Sequence, residues 1–283
     1  MDWRWVLDGK NFSIKALRSA INTNLWNPDL NAYILSETIQ TGFAQDANAL
    51  AILAGVPASP NTTSSILSTL SRDLLLPSGP LAFSKSTVLA GFAQKISPYA
   101  SSYHLRAALS AGDASTALSL LKPLWAPMAN PTHENYTDCF WEALNPDGTP
   151  CLGIVTSLCH GWAAGPTAEL SRYVLGIQPV APGFAEWKVE PLTLGLEWAK
   201  GRYPTVLGDV AVDWRFEGGM LRMETESPAG SKGKVYLPEP MVTSLEKSVI
   251  RVNGVVKNGT QFEVDGGEAF VLTQEPLGAG LLA

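Results

Sequence analysis

Apolar positions recur at helical spacing through the first 180 or so residues and at strand spacing afterwards. Ala114, Ala117, Leu118, Leu121, Leu124 and Trp125 fall on one stripe, with Asp113 at the N-cap position and Pro127 beyond the end. Ile66, Leu67, Leu70 and Leu74 make a second stripe, entered through Ser59-Pro60 and left through Pro77-Ser78-Gly79-Pro80. Phe43, Ala47, Leu50, Ala51 and Ala54 form a third, closed by Gly55, and Ile14, Leu17, Ala20 and Ile21 a fourth. Further helices are expected around 98–110 and 157–175, the latter ending at Gly176. The first part therefore reads as all-α, with about six helices on the 3.6-residue period.

Beyond Pro182-Gly183 the period falls to two. Asp209–Trp214 turns Val210, Val212 and Trp214 to one side, and Met220–Glu226 and Lys234–Leu237 alternate in the same way. Asn253-Gly254 between two β-branched runs is a type I′ hairpin signal, and Asp265-Gly266-Gly267 turns the chain into Glu268–Thr273. Short strands at this spacing predict an antiparallel β-sandwich. The expected domains are 1–182 and 183–283, with a frayed tail at Leu277–Ala283.

Composition narrows the function classes. The chain has 283 residues, enough for one large domain or two ordinary ones, and only 16% are charged. A net charge of −6 without clustered Lys or Arg argues against nucleic-acid and anionic-membrane surfaces. No apolar run is long enough to span a bilayer, and the start, MDWRWVLDGKNFS, has no apolar core of a secretory signal. Sequons at Asn11, Asn61, Asn135 and Asn258 suggest a secreted parent or family, so localisation stays open. The three cysteines read as buried thiols; the alternative is a Cys139–Cys151 bridge across the Pro146-Asp147-Gly148 turn in an oxidising compartment.

Candidate chemistry gathers between Asn135 and Trp162. Glu142 follows Phe140-Trp141, where aromatic neighbours can dehydrate a carboxyl and tune it for acid or base work; its ordinary reading is a surface glutamate at a helix start. His160, beside Gly161-Trp162, suits a sugar: indole stacks on the ring's apolar face and imidazole bonds a hydroxyl. Its ordinary reading is a core histidine, and that of Trp162 is packing. Asp46 either favours a helix dipole or lines a cleft. There is no G-x-S-x-G elbow, no H-E-x-x-H and no P-loop, and His104, His133 and His160 lie far apart, so no metal or cofactor is expected.

The run SLCHGWAAGPTAELSRYVLGIQPVAPGFAEWKVEPL, followed by LEWAKGRYPTVLGDVAVDW, resembles the α-L-rhamnosidases of glycoside hydrolase family 78. INTNLWNPDLNAY and FAQDANALAILAGV resemble the same family's helical barrel, particularly in its fungal members, and the likeness runs in order from about residue 10 to 275. The resemblance covers the family's later part. It implies a partial (α/α)6 toroid of the six-hairpin type followed by a β-sandwich, and inverting hydrolysis of terminal α-L-rhamnose by two carboxyl groups. The family's general base, in a Phe/Trp-Glu element before His-Gly-Trp, corresponds to Glu142. Its sugar-contacting histidine corresponds to His160, with Trp141 and Trp162 as walls.

The departure lies in the acid: the Asp/Arg-rich element that carries it in the family has no counterpart, leaving Glu37, Asp46, Glu134 and Asp138 as stand-ins. About six helices are half of what six hairpins require, and half a toroid exposes inner faces that ordinarily cover one another. The partners expected are a rhamnoside or other small glycoside, with self-association or a partner covering the open half-barrel. Two other functions stay open: a non-catalytic carbohydrate-binding or partner-completed fragment, and a repurposed biosynthetic protein.

Overall fold

The computed structural model describes residues 6–7, 10–11, 13–87, 94–238 and 248–276; the tail at 277–283 lies outside them. The chain divides into two compact units, Met1–Pro166 and Thr167–Ala283.

The first unit carries helices α1 (Ile14–Asn24), α2 (Gln45–Leu53), α3 (Pro60–Leu74), α4 (Pro98–Ser110) and α5 (Ala114–Leu120). Their starts are chemically marked. Ser59 Oγ accepts from the Thr62 amide at 3.2 Å, Ser97 Oγ from Ala100 at 3.2 Å, and Asp113 Oδ1 from Thr116 at 2.9 Å. Proline follows directly in α3 and α4, where its missing N–H costs nothing. After α5 the chain widens into a π-helical turn, Leu121–Trp125, at Pro123, which has no N–H to continue the ladder. Ile66, Leu70 and Leu74 of the second stripe and Phe43 of the third meet in one core with Ala32, Tyr33, Val56 and Leu81, and Ile21 and Ala51 pack against it. The stripes expected for α1 and α2 are otherwise turned outward: Ile14, Leu17, Ala47 and Leu50 are exposed, and α2 buries Gln45, Asn48 and Ala49 instead, because its polar side chains find partners inside. Buried polar groups tie the helices together. Asn48 Oδ1 accepts from the Tyr33 amide at 2.8 Å and its Nδ2 donates to the Tyr33 carbonyl at 2.9 Å. Gln45 on α2 reaches Ser101 Oγ and His104 Nδ1 on α4, each at 3.2 Å.

Two further expectations need correction here. The unit is not all-α: two-residue ladders join β1 (Val6–Leu7) to β2 (Lys10–Asn11), β3 (Trp26–Asn27) to β4 (Ala32–Tyr33), and β5 (Leu75–Leu76) to β6 (Gly79–Pro80). The last two close around Pro28-Asp29 and Pro77-Ser78, turn residues whose strands are too short to show a period. The helix expected over 157–175 is broken as well. It resolves into a 3₁₀ turn at Gly161–Ala163, a short α6 (Gly165–Glu169) and a π-helical turn at Leu170–Val174, and ends before Gly176 at φ 81°. Pro166 interrupts any continuous helix from Gly161, because the residue before proline avoids the α region.

The second unit holds β7 (Ile177–Pro179), β8 (Glu186–Val189), β9 (Trp198–Thr205), β10 (Gly208–Glu217), β11 (Met220–Glu226), β12 (Lys232–Tyr236), β13 (Ser248–Val252), β14 (Val255–Lys257), β15 (Gln261–Asp265) and β16 (Phe270–Pro276). They form a six-stranded sheet, β14-β13-β16-β11-β10-β9, and a four-stranded sheet, β15-β12-β8-β7. β7 precedes the 182/183 boundary expected from the change of period, and it belongs to this unit because Ile177–Pro179 pairs with Trp187–Val189. Alternation is as read: Val210, Val212 and Trp214 are all within 1% of full burial. Register stacks Trp214 beside Met223, and Met223 beside Leu272. Asn253 and Gly254 have φ of 48° and 78°, the positive pair a type I′ turn requires. One pair departs from the antiparallel expectation: β8 and β12 run parallel. There Trp187 packs over Gly233, its direct partner, where a side chain would collide with the indole.

Candidate functional site

The backbone around Glu142 is a short, irregular ladder. Leu144 exchanges hydrogen bonds with Ile96 (3.0 and 2.9 Å), the Glu142 amide donates to the Ser157 carbonyl at 2.9 Å, and the His160 amide donates to Phe140 at 2.8 Å. Residues 140–144 are thus pinned on one side to 96 and on the other to 157–160. The chain bends at Glu142, between buried Trp141 and buried Ala143, so Trp141 goes inward and the Glu142 carboxylate is left partly open. The Glu142 carboxylate accepts from the Ser157 amide through Oε2 at 3.0 Å, which fixes its rotamer. His160 Nδ1 lies 3.9 Å from the same oxygen, with 29% of the histidine and 18% of the glutamate side chain exposed. The pair is close enough for charge interaction and open enough to meet a ligand.

A disulfide joins Cys139 to Cys159, with Cα atoms 4.7 Å apart, and Cys151 is the free thiol. This corrects both sequence readings. The expected alternative bridged the Pro146-Asp147-Gly148 turn. In the fold the Cys151 amide instead bonds the Ala143 carbonyl, while Cys159 faces Cys139 across the 140–142/157–160 ladder.

An aromatic wall extends from His160. Its ring lies 4.4 Å from Trp162, Trp162 lies 5.5 Å from Tyr99, and Tyr99 lies 5.2 Å from Tyr103. Trp162 is 52% exposed, so its indole packs only in part and presents a face to solvent. The Tyr103 hydroxyl donates to Tyr99 Oη at 2.9 Å. That bond, with lesser contributions from burial and from the field of Asp46, raises Tyr103 above the ordinary phenol range. Asp46 stands at the start of α2, the helix packed against α4, and its carboxylate accepts from the Ala47 amide at 2.8 Å. Gly165 lets the Trp162 segment approach α4: a methyl group there would meet the Ser102 side chain and come within 3.1 Å of its Cα.

Of the residues singled out from the sequence, Glu142, His160 and Trp162 are brought together, and Asp46 lies on α2, the helix packed against the one that carries Tyr99 and Tyr103. Trp141 is corrected: it is 1% exposed, packs its ring 5.0 Å from His133 and receives nothing from solvent, so it supports the Glu142 segment from beneath instead of walling a pocket. Glu37 and Glu134 are exposed on other turns, and Asp138 accepts from the Tyr136 hydroxyl at 2.9 Å. Tyr99, Tyr103 and the Ser157 amide were not foreseen. The tyrosines carried a signal, since they sit four apart on a recognised helix and so share a face; the Ser157 amide carried none. Among the described residues, no cluster of three or more His, Cys, Asp or Glu side chains is arranged to hold a metal ion.

Residues 176–249 match the family model described as the bacterial α-L-rhamnosidase C-terminal domain. Among solved structures, the fold is similar to an α-L-rhamnosidase from Dictyoglumus thermophilum, with TM-score 0.66 and 19% identity over 92% of this chain and 28% of that one. It is also similar to a family 78 rhamnosidase from Bacillus sp. GL1, with TM-score 0.60 and 25% identity over 80% of this chain and 22% of that one. A third is the native α-L-rhamnosidase of Aspergillus terreus, with TM-score 0.61 and 16% identity over 94% of this chain and 26% of that one. The chain spans less than a third of the length of each. No curated protein matches it by sequence. By a family model within its strand-rich unit and by fold over most of its length, the chain resembles the α-L-rhamnosidases of glycoside hydrolase family 78.

Proposed function

We propose that the chain carries one side of an α-L-rhamnosidase-type site, with Glu142 as the general base of inverting hydrolysis of terminal α-L-rhamnose. The observation that carries this reading is the pairing of Glu142 with His160 at 3.9 Å on a ladder held by a backbone amide, with the exposed Trp162 indole beside them. A sugar hydroxyl bonded by imidazole, an indole under the ring and a fixed carboxylate facing the anomeric carbon are the parts inversion needs on the water side. Asp46 and the tyrosines then serve the sugar, not the reaction. In the same reading, the helical unit is part of an (α/α)6 toroid, the strand-rich unit is a β-sandwich, and the general acid comes from a segment other than 140–162.

The second reading is sugar binding without turnover, by this chain alone or completed by a partner or a second copy. It is favoured by one observation: the ionisable group set against Glu142 is a histidine, where inversion calls for a second carboxyl about 6.5–9.5 Å away. Release of p-nitrophenol from p-nitrophenyl α-L-rhamnoside, by the chain and by Glu142→Gln, separates the two. Turnover that the mutation abolishes supports the base assignment, and turnover that survives the mutation refutes it. Binding of rhamnose without product supports the second reading, and absence of binding at millimolar sugar refutes it.

A further inference from the structure

The outer face of the six-stranded sheet bears a groove that the Glu142 site does not use. It has a volume of about 360 Å³ and is lined by Glu197, Trp198, Lys200, Asp213, Arg215 and Glu217. All lie in the strand-rich unit. Register explains the cluster: Trp198 pairs with Arg215, and Lys200 with Asp213, across β9 and β10. These positions alternate with Trp214, whose side chain fills the opposite, buried face.

Trp198 is 65% exposed on β9, a strand at the end of the sheet order. An indole left this open on a rigid sheet is an uncovered apolar plate beside polar groups. Those groups are held in place. Asp213, with 13% of its side chain exposed, takes Lys200 Nζ at 2.9 Å, and Arg215 Nη2 bonds its two oxygens at 3.1 and 3.0 Å. Burial opposes ionisation of Asp213, yet the Lys200 and Arg215 hydrogen bonds outweigh it and hold the carboxyl below its ordinary range. Arg215 also stands 3.6 Å from Glu217.

The charges decide the ligand class. Both cations in the groove are committed to Asp213, and three carboxylates accompany them, so the groove has no surplus positive charge for a uronate, sulfate or phosphate. What remains is a fixed set of N–H donors and carboxylate acceptors next to an indole. Neutral sugar hydroxyls need both donors and acceptors, and the apolar face of a pyranose matches the plate.

We infer that this groove is a second carbohydrate-binding site, taking a neutral sugar unit stacked on Trp198, and that it works independently of Glu142. The test applies the labelled whole chain to an array of immobilised neutral, uronate-bearing and sulfated oligosaccharides. Trp198→Ala, Trp198→Phe and Glu142→Gln are run alongside, and circular dichroism reports the fold of each. The expected result is retention on neutral glycans that falls about tenfold in Trp198→Ala and less in Trp198→Phe. Four results overturn the assignment: no retention on neutral glycans, retention confined to acidic glycans, retention equal in folded Trp198→Ala, or retention lost with Glu142→Gln and kept in Trp198→Ala. The last would assign the binding to the Glu142 site, so failure of one reading is distinguishable from failure of the other.

Discussion

Replacing Cys139 and Cys159 together by serine should loosen the candidate site and lower the stability of the first unit by a calculable amount. The bond closes a loop between residues 20 apart in sequence. In the chain-entropy treatment, a closed loop of that length is worth roughly 3 kcal/mol, because the cross-link removes conformations from the unfolded chain. Neither cysteine is buried, so serine at these positions adds little desolvation cost of its own. For a unit of this size, each kcal/mol moves the melting temperature by about 2–4 °C, which gives a fall of roughly 6–12 °C. The site should respond in a second, independent way. The Glu142-to-Ser157 amide bond lies inside the cross-linked loop and the His160-to-Phe140 bond directly beside the cross-link, so their hydrogen exchange should quicken in the double variant while that of the α3 core stays slow. Thermal unfolding with and without reductant, and amide exchange read by mass spectrometry, make the test. Cys151→Ser is the control and should leave both readouts in place. A melting temperature that moves by less than the control, or unchanged exchange at 142 and 160, would refute the claim that this bond braces the site.

Glu142→Gln should lower rhamnoside turnover by about 10²–10⁴-fold at unchanged melting temperature, the loss expected of a general base, in the same p-nitrophenyl assay. If Asp46 serves the sugar as proposed, Asp46→Asn should raise KM several-fold and leave kcat near wild type; an equal fall in kcat would make it the acid instead. Gly165→Ala should cost about 1–3 kcal/mol, since the added methyl presses on the backbone of Ser102, and should shift Trp162 fluorescence as the segment backs away from α4. Burial pushes His104 down to about 4, with Asp113 opposing weakly. The unfolded chain therefore takes up a proton near the ordinary histidine value that the folded chain refuses. Stability is full above that value and falls as pH drops towards 4, by about 2 kcal/mol between pH 7.5 and 5. Urea titrations at the two pH values check this, and His104→Gln should flatten the difference.

How far the fold could be read depends on the length of the repeat. Helices α3 and α4 and strands β10 and β11 each give several turns or alternations, and their boundaries came out close to the expected ones. The two-residue ladders offer nothing to a periodicity argument, and the parallel β8–β12 pair is a long-range choice that no local pattern encodes. The 157–175 segment misled because its apolar spacing is helical while Pro166 and the change of pitch at Leu170–Val174 split it. Cysteine pairing failed for a related reason: the Pro146-Asp147-Gly148 turn made Cys151 look like the neighbour of Cys139, but backbone hydrogen bonds bring 157–160 there instead.

The candidate site was legible where chemistry and adjacency coincide and not where it depends on which way the backbone bends. His160 and Trp162 are two residues apart and the turn between them sets ring on ring, so their partnership survives from sequence to structure. Trp141 and Glu142 are adjacent, yet the bend at Glu142 separates them, leaving the indole buried and the carboxylate partly open. Trp141, directly before the candidate glutamate, is therefore better read as the floor beneath the carboxylate than as a wall beside it. The wall comes from elsewhere, from Tyr99 and Tyr103 on α4, which packs against the Gly161–Ala163 turn. By strand alternation, Trp198 and Trp214 belong to opposite faces of one sheet, one serving the core and one left to solvent. The buried indole needs no ligand to explain it, and the exposed one, held on a rigid strand pair among mutually neutralised charges, is the one whose position the core does not account for.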